Sequence, residues 1–175
     1  YNRIEYPVDI IINPNAFAKE EDYKNQNAIF KGGPDYIIIR EEFKTNQIVS
    51  KKSELTLFIT LGGCDYRNLL NKLCSWGKSL DLYKIRVVVT DENMLFDENI
   101  KILPMLDAKK MAFEMRSAHV VISGCGQTLN ELYYINKPTI GICIDHDQEP
   151  NCSYYNRIGF LKENLNWDDN KLKSK

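Results

Sequence analysis

From Leu55 onward the chain alternates between two textures, and that alternation restricts its fold more than any other feature. Continuous apolar, β-branched runs recur at Leu55–Leu61, Ile85–Thr90, Ile100–Pro104, Val120–Ser123 and Thr139–Ile144. They do not alternate apolar with polar residues, which is the pattern of strands covered on both faces. Helix-like stretches lie between most of them. Arg67–Trp76 sets Leu69, Leu70, Leu73 and Trp76 on one side, Lys110–Ala118 sets Met111, Met115 and Ala118 there, and Leu129–Ile135 does so with Leu129, Leu132 and Tyr133. Asp91–Phe96 offers at most a short helix. Such alternation predicts βαβ units and an α/β fold: a Rossmann-like parallel sheet flanked by helices, with right-handed crossovers.

The chain before Leu55 reads differently. Val8–Asn13 is strand-like and is stopped by Asn13-Pro14-Asn15. Residues 16–31 are polar and irregular, with one helical turn expected around Glu20–Tyr23. Gly32-Gly33-Pro34 breaks the chain, Tyr36–Arg40 predicts a second strand, and the charged, aperiodic stretch Glu41–Lys52 predicts a linker. The expected division is therefore 1–47 and 48–175. The polar tail from Asn164 predicts a terminal helix or disorder.

Composition excludes several classes. At 175 residues, 43% hydrophobic and 27% charged, the chain is ordinary for a soluble globular protein. A formal net charge of -1 leaves no general basic surface for nucleic acid, so no nucleic-acid partner is expected. The five cysteines include no CxxC pair and only two histidines accompany them, which predicts free thiols rather than a disulfide frame or a zinc site. No apolar stretch reaches the roughly 18 residues of a membrane span, and no signal-peptide pattern opens the chain, so a cytoplasmic location is expected. The chain opens on Tyr1 rather than Met, and a piece of a longer protein is expected.

In an open parallel sheet, ligands bind beyond the carboxyl ends of the strands where strand order reverses. That rule selects two loops. Gly62-Gly63-Cys64-Asp65 follows "LTLFIT", and Ser123-Gly124-Cys125-Gly126-Gln127-Thr128 follows Val120–Ile122. Glycines there let a ligand approach the backbone, and each loop opens a helix whose unsatisfied N–H groups favour an anion. Thr128 adds a hydroxyl, and Glu131, one turn deeper, is placed to accept from a ribose diol. Two facing anion sites of this kind suit a nucleoside diphosphate. Packing alone also produces such turns, and Asp65 reads as a plain helix N-cap before it reads as a ligand contact.

Asp145-His146-Asp147-Gln148 gathers polar groups at the end of the last apolar run, either reaching the same crevice or forming an exposed acidic turn. A metal site there lacks a second cluster of ligands. Cys64 and Cys125 sit at helix N-termini, which lowers a thiol pKa. Cysteine catalysis would need His119 or His146 as base, and His119 precedes a buried strand.

Four segments in order carry a resemblance: "GPDYIIIREEF" (Gly33–Phe43), "LFITLGGCD" (Leu57–Asp65), "MRSAHVVISGCGQTLNELYYINKPTIGI" (Met115–Ile142) and "DQEPNCSYYNRIG" (Asp147–Gly159). Together they resemble the carboxyl-terminal half of the pseudaminic-acid pathway UDP-sugar hydrolases and the related spore-coat polysaccharide biosynthesis proteins. That group shares the GT-B fold with the cell-wall transferase that builds lipid II. The resemblance implies two Rossmann-like halves with a UDP-sugar between them, and loss of UDP from a diacetamido-trideoxy hexose to water, without metal or cofactor. It implies that Gly62, Gly63 and Asp65 face the sugar-diphosphate, that Gly124, Gly126, Gln127 and Thr128 hold the pyrophosphate, and that Glu131 holds the ribose. Met105, Leu106 and Met111 would lie against uracil.

The departures bear on activity. Asp147-Gln148 stands where the family typically has Asn-Gln, and Cys125 replaces a common glycine. The family's catalytic histidine lies in an amino-terminal half of which only the last strand and hinge, about Tyr1–Gln47, are expected here. Its own amino-terminal domain is then a partner, and this chain alone would bind nucleotide weakly and catalyse little. The rivals are a donor-binding half of a true glycosyltransferase and a non-catalytic nucleotide-binding module.

Overall fold

The structure is a computed structural model that describes residues 5–24, 27–45, 54–63, 65, 67–79, 84–88 and 100–172. The chain divides into two compact units, Tyr1–Ile39 and Arg40–Lys175.

The smaller unit is built on two parallel strands, β1 (Ile10–Asn13) and β2 (Ile29–Gly32), in the register Ile10 to Ile29 and Asn13 to Gly32. Asn13 stops β1 by local chemistry: its Oδ1 accepts from the Asn15 backbone N–H at 3.0 Å, and its Nδ2 donates to the Tyr23 hydroxyl at 2.6 Å. The expected turn at Glu20 is a 3-10 helix, Glu20–Asp22. The expected strand at Tyr36–Arg40 is not formed. Gly33 (φ 87°) turns the chain into a 3-10 helix, Pro34–Tyr36, and residues 37–40 join no sheet among the described residues. The strand lies instead at Ile29–Gly32, inside the stretch read as irregular. Val8, Ile10, Ile12 and Ile29 are exposed. Ile10 and Ile29 are paired and Ile12 is two residues on, so one face of this small sheet is apolar and open.

The larger unit begins with α1 (Glu41–Lys44), where a charged linker was expected. Phe43 is fully buried and α1 packs on helix α3 (Ala108–Ser117), with Arg116 donating to the Phe43 carbonyl at 2.6 Å. One aromatic residue inside a charged stretch fixes it against the domain. Then follow β3 (Thr56–Thr60), α2 (Leu69–Ser79), β4 (Lys84–Val88), β5 (Ile100–Leu103), α3 (Ala108–Ser117), β6 (Val120–Gly124), α4 (Gln127–Tyr134), β7 (Thr139–Cys143), α5 (Glu149–Arg157) and β8 (Leu161–Asn166). The short helix expected at Asp91–Phe96 and most of the expected linker lie outside the described residues.

Two further elements depart from the sequence reading. The tail contributes a sixth strand, β8, and the stretch after Gln148 is a helix, α5. Among the described residues strand β8 pairs only with β7, and it buries just Leu161 and Leu165, so it carries no continuous apolar run. The buried side of α5 is Asn151, Cys152 and Tyr155, which leaves no aliphatic periodicity to find.

All six strands are parallel, in the order β5-β4-β3-β6-β7-β8. Every residue of β3 is buried, as expected of a central strand covered on both faces. One face carries Leu57, Ile59, Ile85, Val87, Ile100, Ile122, Ile142 and Leu165, packed with Leu69, Leu70 and Leu73 of α2. On the opposite face Arg86 of β4 meets α3, donating to the Ser117 hydroxyl at 2.9 Å and pairing with Glu114 at 2.9 Å.

Candidate functional site

The strand order fixes where a crevice must open. From β3 the chain proceeds to β4 and β5 on one side, and from β6 it proceeds to β7 and β8 on the other. The reversal therefore falls between β3 and β6, which pair directly through Thr60 and Ser123 at their carboxyl ends. Both glycine loops leave the sheet at this point. A Cβ on Gly124 would lie 2.7 Å from Ile144 Cδ1 and 3.4 Å from the Leu61 carbonyl, so a side chain there has to displace the end of Ile144 where the three segments close up.

The two loops then diverge in chemistry. Asp65 accepts from the Leu69 N–H through Oδ1 and from the Leu70 N–H through Oδ2, both at 2.8 Å. The start of α2 is thus filled by a carboxylate of its own chain, which takes both the donors and the favourable end of the helix dipole. Of the two helix starts expected to receive an anion, this one carries a carboxylate of its own. The Asp65 side chain is committed to the cap, and Cys64 lies outside the described residues. Gly62 (φ 90°) and Gly63 border open space among the described residues.

At α4 the N-cap is Gly126, and no side chain caps the helix. The Leu129 N–H turns back to the Gly126 carbonyl at 3.1 Å, and the Gly126 and Thr128 amides precede the α-helical bonds of α4. Residues of α5 and the turn before it hold this loop. Gln148 Oε1 accepts from the Cys125 N–H at 3.0 Å and the Ile144 N–H at 3.3 Å. Asn151 Nδ2 donates to the carbonyls of Cys125 at 2.8 Å and Gly126 at 3.2 Å. Asn130 donates to Gln127 Oε1 at 3.1 Å and accepts from the buried Tyr155 hydroxyl at 2.8 Å. The Gln148 amide nitrogen lies 3.7 Å from where a Gly126 Cβ would stand, beside the uncapped turn. Asp147 is exposed, whereas its neighbour Gln148 points inward to the loop. Ser123 is fully buried, its hydroxyl on the Gly124 carbonyl at 2.9 Å.

Glu131 is 3% exposed, and both of its oxygens are held by Arg40, from Nε at 2.5 Å and Nη2 at 2.9 Å. The Arg40 side chain is 48% exposed and lies over the buried Phe43 ring at 5.1 Å. The carboxylate expected to be open to a diol therefore sits under a guanidinium, whose pKa that hydrogen-bonded pairing raises. Met105 is exposed beyond β5, Leu106 is half-buried there, and Met111 is half-buried on α3. They lie on the same carboxyl edge, three positions from β6 in the sheet, about 14 Å at ordinary strand spacing.

Thiol chemistry at Cys125 is not supported. A hydrogen bond with Cys152 and complete burial push the Cys125 pKa well up, against the lowering expected at a helix start. Its amide is taken by Gln148. His119 Nδ1 accepts the Thr56 N–H at 3.1 Å, a structural role, and exposed His146 pairs with Glu149 at 2.7 Å. Among the described residues no group of three or more His, Cys, Asp or Glu is placed to hold a metal ion, and no helix is long and apolar enough to cross a membrane.

Sequence reasoning missed Arg40, Arg67, Asn130, Asn151 and Tyr155. Arg67 donates from Nε to the Ile144 carbonyl at 2.5 Å and stacks over Trp167 at 4.2 Å, tying the first loop to the end of β7. Arg40, Asn130, Asn151 and Tyr155 stand inside the segments that carry the family resemblance, which is the signal that marked them; Arg67 lies outside those segments.

No family model matches the chain. It is 24% identical over 165 residues to the UDP-2,4-diacetamido-2,4,6-trideoxy-beta-L-altropyranose hydrolase of Campylobacter jejuni, a match covering 89% of this chain and 60% of that enzyme. Among solved structures it is similar to MurG of Acinetobacter baumannii, with a TM-score of 0.61, 15% identity and coverage of 90% of this chain and 53% of that one. It is also similar to the spinosyn rhamnosyltransferase SpnG complexed with thymidine diphosphate, with a TM-score of 0.57, 14% identity and coverage of 72% and 35%. The chain thus spans about 60% of the curated relative and about half or less of these glycosyltransferases. The resemblance read from the four segments is borne out: this chain is a Rossmann-like α/β unit similar to part of a UDP-sugar hydrolase and to one half of the GT-B glycosyltransferases.

Proposed function

We propose that the chain is the UDP-sugar-binding part of an enzyme that hydrolyses a nucleotide-linked diacetamido-trideoxy hexose in surface-glycan synthesis. The observation that carries this reading is the uncapped start of α4 at the strand-order reversal, beside a second helix start that its own aspartate has closed. The diphosphate sits on the amides of Gly126, Gln127 and Thr128 with the Thr128 hydroxyl, and the Gln148 amide nitrogen reaches the phosphate or sugar. Uracil lies toward Met105, Leu106 and Met111, and the ribose toward the Arg40–Glu131 pair. The name of the Campylobacter relative supports UDP as the leaving group. In the reaction, water attacks the anomeric carbon, the bond from that carbon to the diphosphate oxygen breaks, and the water proton passes to a base. That base belongs to an amino-terminal half, for which the exposed Val8, Ile10, Ile12 and Ile29 face is the proposed docking surface.

Calorimetric titration with UDP, UMP and uridine tests the site. UDP is expected to bind more tightly than UMP, and UMP more tightly than uridine; equal affinities for the three sink the reading. Glu131→Ala is expected to weaken all three together, since it acts at the ribose. The structural similarity to glycosyltransferases favours one other reading, transfer of the sugar to an acceptor. Release of UDP by the parent enzyme with water as sole acceptor separates the two.

A further inference from the structure

The peptides of the second glycine loop have a direction, and one side chain on α5 sets it. Asn151 is 5% exposed and donates from a single Nδ2 to two successive carbonyls, those of Cys125 and Gly126. Its Oδ1 is buried without a hydrogen-bond partner among the described residues, so its orientation answers to those carbonyls alone. In a trans peptide the C=O and the next N–H point opposite ways, and no cis peptide is present among the described residues. Pinning the Cys125 carbonyl inward therefore aims the Gly126 N–H outward. The Gly126 carbonyl is held by Asn151 together with the Leu129 N–H, which donates to it at 3.1 Å.

We propose that Asn151 is the positioning residue of the anion site, holding the Cys125 carbonyl oxygen away from the ligand and the Gly126 amide hydrogen toward it. This rests on reading the loop as a diphosphate site. Without the grip, rotation of the Cys125–Gly126 peptide turns the Cys125 carbonyl oxygen toward the phosphate, and glycine at 126 resists that rotation least of all residues. Gln148 complements it by accepting the Cys125 N–H, so both polar groups of residue 125 are committed to the protein and the outward set begins at residue 126.

The test is a titration of the isotope-labelled 175-residue chain with inorganic pyrophosphate, UDP and uridine, reading affinities and the amide resonance of Gly126. In the wild type that amide shifts with pyrophosphate and UDP. Asn151→Ala weakens those two ligands about tenfold, the scale of one lost hydrogen bond. Asn151→Asp, which cannot donate to a carbonyl, weakens them further, and Asn151→Ser recovers part of the loss. Uridine is unaffected throughout. Unchanged pyrophosphate and UDP affinities in folded Asn151→Ala and Asn151→Asp overturn the proposal, as does a parallel loss of uridine. Should the variants not fold, the wild type decides: pyrophosphate binding that leaves the Gly126 amide unmoved overturns it. Pyrophosphate binding without any preference for UDP leaves Asn151 in its role and removes the nucleotide reading; binding of neither removes both.

Discussion

The two glycine loops look alike as sequence and differ as chemistry. Each follows an apolar strand, each opens a helix, and they lie side by side at the strand-order reversal. In the first, Asp65 lies four residues ahead of Leu69, where the helix begins, and reaches its first two amides with both oxygens. In the second the residue directly before the helix is Gly126, and no side chain caps the first amides. One carboxylate decides which helix start can receive an external anion. A helix end is an anion site only where the chain has not supplied its own anion.

The largest expected effect comes from giving the second loop the cap of the first. A Cβ at Gly126 would meet Gln148 Nε2 at 3.7 Å, an ordinary contact, and its backbone (φ -84°) accepts any residue. Gly126→Asp is expected to weaken UDP and pyrophosphate by about a hundredfold through like-charge repulsion. It should also hold or raise stability by about 0.5–1 kcal/mol as a new N-cap. Retained UDP affinity would mean the ligand does not use this helix start.

Next is the steric asymmetry. Gly124→Val forces a side chain onto Ile144 and the Leu61 carbonyl and is expected to cost about 1–3 kcal/mol. Gly63→Ala, which enters open space among the described residues, is expected to stay within about 0.5 kcal/mol. Denaturant midpoints decide, and equal losses would show that the crevice is not closed around Gly124.

The reverse exchange is smaller. Asp65→Ala removes the α2 cap and is expected to cost about 1–2 kcal/mol of stability. UDP affinity should stay within about twofold, since the carboxylate faces its own helix. A clear gain or loss of UDP affinity would restore the role for Asp65 that the family resemblance implied.

The sequence held much of this and hid the rest for identifiable reasons. Strands β3 to β7 were legible because burial on both faces leaves continuous apolar runs, and the carboxyl-edge rule then selected both loops. What separated the loops was the direction of the Asp65 side chain, which the residue string leaves open between cap and ligand. Strand β8 and helix α5 escaped because one sits at the sheet edge and the other buries an asparagine, a cysteine and a tyrosine. The Arg40 roof over Glu131 joins residues 91 positions apart, a separation no local pattern spans. The expected strand at Tyr36–Arg40 failed because Gly33 and Pro34 turn the chain just before it.

The smallest effect is a pH dependence that the α2 side of the comparison carries. Cys74 lies on the buried face of α2, and burial, opposed by the charge of Lys78 and reinforced by that of Asp65, pushes its thiol up to about 11. The unfolded thiol titrates near its ordinary value, about 8.5. Between those values the folded chain holds a proton that the unfolded chain has released, so stability falls as pH rises through this window and is fully present below it. Cys143, pushed up to about 12 mainly by burial, adds a similar slope. Replacing Cys74 with alanine should therefore narrow, not abolish, the difference between urea midpoints at pH 8 and pH 10. In Asp65→Ala the slope should shrink less, because the carboxylate is the lesser cause of the shift. A midpoint difference unchanged by Cys74→Ala would mean that the thiol ionises as freely in the folded protein as in the unfolded chain, and that the α2 face is open to water.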